Sequence, residues 1–443
     1  MSSITSFFSR PTHGEVWRLA WPIILSNSSV PLLGAVDTAV VGHLPEAHYI
    51  GSVAIGALMF SFLYWGFGFL RMGTTGFIAQ ATGRQDANEV RSVLARAVLL
   101  SLILSLVVLI FQPLVLWIAL DFIEGSAAVE AGAAEYFSIR IWSAPAVLIN
   151  YGLMGFFIGT KNTKATLVVQ IFMNGLNIIL DLLFVIGLGW AVSGVAAATA
   201  IAEISALLLG LYLVRRQLRL LGGKWQKAAI LSVNKMLRLL SVNLDIFIRT
   251  ILLIFAFAYF TAEAASKGDV TLAAIAILMN FMHFMAYGLD GFAFATEGMV
   301  GAALGAKQPK QLREIVVVSS FWALVVATIY ALVYWIFGPS IINLLTSIPE
   351  VRAHANEFLP WLIVAPLISI WSYQMDGIFI GAVQSKEMRN GMIISFITYM
   401  IAIHIFDDFW GPDGLWAALM LYMAVRGVTL ALVYPRVERA ATA

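Results

Sequence analysis

Long apolar stretches recur along the whole chain, and each is bounded by Gly, Pro or a cluster of charged residues. Each stretch is long enough for a helix that crosses a hydrocarbon core of roughly 30 Å. The breaks between them predict twelve helices, at 14–42, 50–78, 92–119, 131–159, 165–189, 191–214, 238–262, 270–297, 315–345, 355–383, 389–405 and 413–434. We therefore predict an all-α membrane protein.

The basic residues lie mainly in alternate loops between these helices. Of the 27 Lys and Arg residues, 21 fall in loops on the side that both termini share, and only Lys267 and Arg352 fall in the opposite loops. By the positive-inside rule, both termini are predicted to be cytoplasmic. The first segment lacks a small-residue cleavage site, so no removable signal peptide is expected. A bacterial inner (plasma) membrane is the expected location.

Amino-acid composition supports a membrane environment and argues against several classes of site and partner. A chain with 60% hydrophobic and 12% charged residues lies far outside the soluble range. The absence of cysteine excludes disulfides and thiolate metal sites, and the small, dispersed net charge of +2 argues against a nucleic-acid partner. The chain contains no HExxH, GxSxG or P-loop motif. We therefore expect neither an enzyme nor an organic cofactor, and the lipid bilayer is one expected partner.

An internal repeat relates the two halves of the chain. Residues 73–91, GTTGFIAQATGRQDANEVR, align without gaps with residues 295–313, ATEGMVGAALGAKQPKQLR, at an offset of about 222. After one gap, APAVLINYGLMGFFIG in the fourth predicted helix also aligns with APLISIWSYQMDGIFIG in the tenth. Six helices per repeat give both halves the same membrane orientation. We predict two pseudo-symmetric lobes around a central cleft, residues 1–214 and 238–443, joined by a cytoplasmic linker at 215–237.

Asp37 is the first candidate functional residue. It lies in PLLGAVDTAVVGHL, near the far end of the first predicted helix, with no basic residue within one turn on either side. A charged group in hydrocarbon costs about 2.5–3.5 kcal/mol, so an intramembrane carboxylate is a functional candidate by default. Burial favours the protonated form of a carboxyl group, which predicts proton exchange at Asp37. The alternative is a hydrogen-bonded structural aspartate.

Helix-breaking residues lie on the same predicted helix. Pro22 and Pro31 each remove one backbone hydrogen bond, and Gly34 loosens the helix further. These residues predict a helix that can bend. The alternative is a static kink, which is common in membrane helices.

Further polar residues lie on the fourth, fifth and sixth predicted helices. Asn174, Asn177 and Asp181 share one face of the fifth helix, which should face a cavity or another helix rather than lipid. The alternative for the asparagines is simple adhesion between helices. The sixth helix adds Thr199 and Glu203, and the fourth adds Asn150. We expect the polar atoms of these helices and of the first to converge in one site. Its predicted members are Asp37, Asn150, Asn174, Asn177, Asp181, Thr199 and Glu203.

The second lobe also carries charged residues within its predicted helices. Asp290, Asp376 and Arg249 are the candidates there, and Asp290 in YGLDGFAFA is a rival to Asp37. Asp245 stands four residues before Arg249, a spacing that predicts mutual neutralisation on one helix face.

The chain resembles the multidrug and toxic compound extrusion (MATE) family, and within it the DinF-type branch. The resemblance runs through essentially the whole chain and is most specific in WPIILSNSSVPLLGAVDTAVVGHL, FLRMGTTGFIAQATG, IRIWSAPA, NGLNIILDLLFVIGL, AYGLDGFAFA and DGIFIGAVQSKEMRN. The resemblance implies a secondary antiporter whose two six-helix lobes form a V. Such an antiporter moves small organic compounds, cationic or amphipathic, outward while cations move inward. We expect it to act as a monomer.

The resemblance also implies roles for particular residues. Relatives with a matching first-helix aspartate use it as a proton site, which implies that role for Asp37, with Asn177 and Asp181 in the same network. The implied roles of Thr199 and Asn150 follow less directly. In the NorM branch an acidic residue on the seventh helix helps to bind sodium, whereas this chain places Arg249 nearest that position, which favours protons over sodium.

The resulting hypothesis is proton-coupled export by alternating access. Protonation of Asp37 changes its hydrogen bonds to Asn177 and Asp181 and allows the first helix to bend. Two alternatives remain within the same superfamily: a sodium-coupled drug exporter, and a lipid-linked oligosaccharide flippase, which would need cationic side chains for a pyrophosphate group.

Overall fold

The computed structural model describes residues 10–42, 46, 48–122 and 125–442, which form sixteen α-helices and contain no strand. The helices of the first half are α1 Pro11–Val41, α2 His48–Gly66, α3 Phe69–Gly83, α4 Ala87–Ile110, α5 Gln112–Phe122, α6 Ala127–Arg140, α7 Ala144–Gly159, α8 Thr163–Asp181 and α9 Ala191–Leu221. The remaining helices are α10 Lys227–Ile230, α11 Val233–Ser266, α12 Asp269–Gly305, α13 Pro309–Leu345, α14 Pro349–Gly381, α15 Ser385–Trp410 and α16 Pro412–Ala440.

Most of these helices are long and apolar enough to cross a membrane. Within the described residues, eleven helical segments meet that condition, with α2–α3 and α6–α7 each counting as one interrupted span. Helix α1 contains 31 residues, and this length also exceeds the roughly 20 residues that a crossing requires. The predicted all-α membrane fold of about twelve spans is therefore confirmed.

Several helices extend beyond their predicted ends because the flanking residues support helix termini. Asp86 caps α4 by accepting a hydrogen bond from the backbone N–H of Glu89 at 2.9 Å. Within the predicted linker at 215–237, α9 continues to Leu221, α10 forms a single turn, and α11 begins at Val233. The linker is therefore largely helical.

Contacts divide the chain into two compact units. The amino-terminal unit is Leu25–Leu239, and the carboxyl-terminal unit contains Leu240–Ala443 together with α1 as far as Ile24. The early part of α1 packs within the carboxyl-terminal unit, where the Trp17 ring lies 5.3 Å from that of Phe292 and 5.2 Å from that of Trp322. The predicted lobe limits at 214 and 238 stay a prediction, and the amino-terminal part of α1 belongs by its contacts to the unit of the later helices.

The repeat is visible in the way the helices of each unit pack. In the amino-terminal unit, a Cβ atom placed on Gly155 of α7 would lie 2.6 Å from the carbonyl oxygen of Arg71 on α3. In the carboxyl-terminal unit, Gly377 of α14 makes the equivalent close approach to the carbonyl of Ala293 on α12. Both residues of the second pair lie 222 positions after their counterparts. The two units therefore share one helix-packing contact that only glycine permits.

The turns that follow these helices repeat as well. Gln85 and Lys307 adopt φ of 57° and 54°, and Lys161 and Val383 adopt φ of 58° and 56°. Each pair is again separated by 222 residues. A side-chain-bearing residue in the left-handed region is uncommon, so the repetition extends to unusual backbone conformations.

Candidate functional site

Asp37 lies near the end of α1 in the amino-terminal unit and is partly buried. Its Oδ1 atom is inaccessible to solvent, and no N–H or O–H group of the described residues donates to it. A buried polar atom normally has a partner. Asp37 is therefore a carboxyl group with one buried oxygen that receives no donor from the described residues.

Helix α8 is built with its polar residues inside and its apolar residues outside. Asn174, Asn177 and Asp181 are buried, whereas Ile171 and Ile179 are 55% and 63% exposed. This is the pattern expected when the outer face of a helix contacts lipid. The predicted polar face of this helix therefore faces the interior of the unit.

The three polar residues of α8 have different partners. Asn177 donates from Nδ2 to Oδ2 of Asp181 at 2.5 Å. Asn174 instead donates to the hydroxyl of Ser29 on α1 at 2.8 Å and accepts from Gln170 at 2.9 Å. Asn177 therefore acts on the carboxyl group, while Asn174 joins α8 to α1.

Asp181 is the last α-helical residue before a change of helix type. Leu182–Gly187 continue as a π-helix, a rare form that occurs mostly as single turns and frequently at functional sites. Because such a turn holds one extra residue, it changes the register of the side chains that follow. The change of register begins directly after the buried carboxyl group.

The carboxyl groups of Asp37 and Asp181 lie within hydrogen-bonding reach of each other. Oδ1 of Asp181 is buried and, like that of Asp37, receives no N–H or O–H donor from the described part of the chain. An ionised carboxylate only accepts hydrogen bonds. Two carboxyl groups can therefore bond to each other only if the pair carries a proton.

A second charged group beside this pair was not recognised as part of the site from the sequence. Arg140, at the end of α6, donates to Oε1 of Glu203 on α9 at 2.6 Å and to the hydroxyl of Tyr136 at 3.1 Å. The hydroxyl of Ser143 donates to the other Glu203 oxygen at 2.5 Å. The guanidinium of Arg140 also lies 4.7 Å from the ring centre of Phe60. An arginine inside a predicted span was the signal that could have identified it.

Within the described residues, Arg140 forms its ion pair with Glu203 and not with Asp37. The charge of Arg140 acts on Asp37, but no ion pair between these two residues is present among the described contacts. The hydroxyl of Tyr136 accepts from Arg140 and lies near both Asp37 and Thr199. We refer to Asp37, Asp181, Glu203 and Arg140 as the acidic cluster.

The remaining predicted residues of this unit lie at the edge of the acidic cluster. The hydroxyl of Thr199 donates to the carbonyl of Val195 on its own helix at 2.9 Å. Within the described part of the chain, the amide of Asn150 on α7 donates to the backbone carbonyl of Glu203, at 3.4 Å. The structure thus places Asp181 next to Asp37 and Asn177 next to Asp181, and it pairs Glu203 with Arg140. Asn150 and Asn174 contact other groups.

The candidate hinge residues lie on both sides of the division between the two units. Pro22 is buried and belongs to the carboxyl-terminal unit, whereas Pro31 and Gly34 are exposed and belong to the amino-terminal unit. A Cβ atom on Gly34 would meet no atom within 4 Å. Packing therefore does not require glycine at position 34.

The carboxyl-terminal unit contains a different buried cluster. Arg249 on α11 and Arg426 on α16 both donate to Oδ2 of Asp376 on α14, the Arg426 bond measuring 2.9 Å. All three side chains are buried. We call Arg249, Arg426 and Asp376 the arginine cluster.

The predicted neutralisation of Asp245 by Arg249 is wrong. Asp245 instead forms an ion pair with Arg389 on α15 at 2.7 Å and accepts a hydrogen bond from Ser385 at 2.8 Å. Arg249 lies one turn further along α11 and faces Asp376. Asp290 is partly buried and lies near Tyr287 and Tyr373, with contacts of its own.

The chain is similar in sequence to a known protein family and to several known proteins. The MatE family model matches residues 22–183 and 246–406. The chain is 38% identical over 421 residues to DNA damage-inducible protein F of Escherichia coli, covering 95% of this chain and 92% of that protein. It is 23% identical over 452 residues to a probable multidrug resistance protein NorM of Bacillus cereus, covering 97% of this chain and 96% of that protein.

A solved structure gives the same fold. An outward-facing conformation of a multidrug resistance MATE family transporter of the MOP superfamily is 20% identical to the chain, with a TM-score of 0.84. The match covers 99% of this chain and 98% of that one.

Proposed function

Since this chain belongs to the MatE family of membrane transporters, we propose that it exports small organic molecules from the cell in exchange for protons. The sequence-based assignment to the MATE family and its DinF-type branch is confirmed by the family match and by the similarity to the Escherichia coli protein. The multidrug names of the NorM relative and of the solved transporter support organic compounds as substrates.

The contact between Asp37 and Asp181 is the observation that carries the proposal of proton coupling. A pair that holds one proton can gain a second or lose the first, and each change alters the charge in a site shielded from water. Asn177 donates to the ionised form of Asp181 and so favours release of the proton. The pair can therefore alternate between protonation states at moderate energetic cost.

Proton exchange must be linked to a change of conformation and to substrate binding. In our proposal, a change of protonation alters the hydrogen bonds between α1 and α8, and α1 bends near Pro31 and Gly34. The boundary between the two units crosses α1 between Pro22 and Pro31, so the proposed bend lies in the part of α1 that belongs to the amino-terminal unit. Protons and substrate exchange only if each binds one state of the transporter more tightly than the other.

The remaining parts of the proposal concern location and cofactors. A bacterial inner membrane fits the similarity to the Escherichia coli protein, and cytoplasmic termini follow from the distribution of Lys and Arg. The proposed cycle uses the proton as its coupling ion and no organic cofactor. Sodium coupling is the alternative that the following experiment decides.

The test uses everted membrane vesicles and a cationic xanthene dye, the methyl ester of a carboxy-rhodamine. We expect an acid-inside proton gradient to drive dye uptake and a sodium gradient alone to fail. The variants Asp37→Asn and Asp181→Asn should each lower the rate of dye uptake at least about tenfold. Each variant has only one of the two carboxyl groups left, so the pair can no longer share a proton.

Asp86→Asn is the matched control for these substitutions. Asp86 caps an exposed helix end, and asparagine caps helices equally well, so this variant should transport like the wild type. Proton-driven efflux that persists in Asp37→Asn contradicts the proposed coupling site. Uptake driven by sodium alone contradicts the proposed ion.

A further inference from the structure

The arginine cluster contains more positive than negative charge. Two guanidinium groups, those of Arg249 and Arg426, share the single carboxylate of Asp376. Arg249 and Arg426 are only 5% and 4% exposed. Buried charges are normally paired because an unpaired one is costly in a medium of low polarity. The cluster therefore has one positive charge more than its own carboxylate neutralises.

The hydrogen bonds of the cluster are also incomplete. A guanidinium carries five N–H donors, but each arginine gives only one of them to Asp376, and both bonds fall on the same oxygen. Arg426 gives one more to the thioether sulfur of Met423, which is a weak acceptor. Nε of Arg249 is buried, and no acceptor for it exists among the described side chains and backbone. Strong donors are thus available inside the unit.

The surroundings of the cluster are aromatic. The guanidinium of Arg426 lies 5.6 Å from the ring centre of Tyr422. Tyr373 lies close to all three members of the cluster and, like the neighbouring Asp290, is only partly buried. The charge of Asp290 acts on Tyr373 and Tyr287, whereas Asp376 is the carboxylate that faces Arg426. Tyr373 is therefore a partly exposed aromatic side chain next to the cluster.

We infer that the arginine cluster binds the acid group of an amphipathic organic anion, a carboxylate or a sulfonate attached to an apolar or aromatic body. The inference rests on the proposed export function and specifies a class of substrate for it. The planar fork of a guanidinium matches a carboxylate or sulfonate in a bidentate manner. The partly exposed ring of Tyr373 offers a contact for the apolar body.

The charge of the cluster selects among possible anions. A single negative charge balances the excess of one, whereas a pyrophosphate group would reverse the local charge. A chloride ion would balance the charge but would use neither the fork of the guanidinium nor the aromatic ring. A singly charged organic acid satisfies all three features.

The test compares two forms of one dye. A carboxy-rhodamine with a free carboxylate and its methyl ester have the same xanthene body and differ only in the acid group. Binding of each to the purified full-length protein in detergent is measured by fluorescence anisotropy. We expect the free acid to bind the wild type, and Arg249→Gln to weaken that binding about tenfold, as for the loss of one charge-assisted hydrogen bond. Binding of the methyl ester should remain the same.

Two further variants control for general effects. Arg249→Lys keeps the charge but loses the fork, and we expect it to fall between the wild type and Arg249→Gln. Arg313→Gln removes an arginine from an exposed ion pair with Glu438, and it should bind both dyes like the wild type.

The outcomes separate this inference from the proposed function. If the methyl ester is transported in a proton-dependent way but the free acid does not bind, or binds Arg249→Gln equally well, the arginine cluster is not an acid site and the export function stands. Displacement of the free acid by chloride or pyrophosphate more readily than by a simple aromatic sulfonate also overturns the inference. The wild-type comparison of the two dyes decides the question even if Arg249→Gln fails to fold.

Discussion

The acidic cluster and the arginine cluster, one in each unit, contain carboxyl and guanidinium groups in opposite proportions. The acidic cluster of the amino-terminal unit contains three carboxyl groups, those of Asp37, Asp181 and Glu203, and one guanidinium group, that of Arg140. In the carboxyl-terminal unit, two guanidinium groups share one carboxylate. In our proposals, the first arrangement holds and exchanges a proton and the second binds an anion.

The helices that carry these clusters nevertheless repeat closely. The close approach of Gly155 to the backbone of α3 recurs at Gly377 and α12, at the same offset as the left-handed turn residues. The framework of the two units is therefore similar while their buried side chains differ. This comparison teaches that packing between helices and the chemistry inside each unit can change independently.

The largest expected effect comes from removing the shared carboxylate of the arginine cluster, which tests the excess of positive charge assigned to that cluster. Asp376→Asn leaves two buried guanidinium groups without a counter-charge, and we expect a loss of about 3–5 kcal/mol in the free energy of unfolding. Arg249→Gln leaves Arg426 and Asp376 as a balanced pair and should cost only about 1 kcal/mol. Thermal unfolding followed by tryptophan fluorescence in detergent measures both. Equal losses for the two variants would show that the charge excess has been assigned wrongly.

The corresponding change in the acidic cluster is Arg140→Gln. It leaves Glu203 buried with Ser143 as its donor, and we expect a loss of about 3 kcal/mol. The double variant Arg140→Gln/Glu203→Gln removes both charges and should recover most of that stability. The same unfolding measurement gives the coupling energy between the two residues. Losses that simply add would mean that the two side chains do not stabilise each other.

The shared framework can be tested with alanine at the repeated glycines. Gly155→Ala and Gly377→Ala should each cost about 1–3 kcal/mol, because the new methyl group meets backbone of the facing helix. Gly175→Ala on α8 is the control, since its Cβ would meet nothing within 4 Å, and it should not lower the midpoint of thermal unfolding. The equivalence of the two units would be in doubt if only one of the repeated positions were sensitive.

The smallest expected effect distinguishes the roles of Asn177 and Asn174 on α8. Asn177→Ala removes the donor to Asp181, and we expect proton-driven dye uptake in vesicles to fall about tenfold, which corresponds to one charge-assisted hydrogen bond. Asn174→Ala removes a bond to Ser29 instead and should have a smaller effect on the rate. A larger loss in Asn174→Ala would reverse the roles given to these two residues.

Features that depend on local periodicity could be predicted from the sequence. The spans follow from the length of apolar stretches, and the buried face of α8 follows from the spacing of Asn174, Asn177 and Asp181, since residues three and four apart share one side of a helix. The repeat was readable because the packing glycines and their neighbours recur at one offset.

Contacts between distant helices could not be predicted in the same way. Arg140 and Glu203, or Arg249, Asp376 and Arg426, come together only because particular helices pack side by side. The expected pairing of Asp245 with Arg249 failed for this reason: in an interior of low polarity each charge takes the best-placed partner, and for both residues that partner lies on another helix. The π-helical turn after Asp181 left no signal that sequence patterns reveal.

The most direct test of the account is to count the protons that leave the protein when substrate binds. Purified transporter in weakly buffered detergent solution is titrated with the methyl ester dye while the pH of the solution is recorded. We expect about one proton released per dye bound by the wild type, and no release from Asp37→Asn or Asp181→Asn although the dye still binds. Binding to the wild type without proton release, or unchanged release from either variant, would contradict the claim that these two carboxyl groups exchange a proton for substrate.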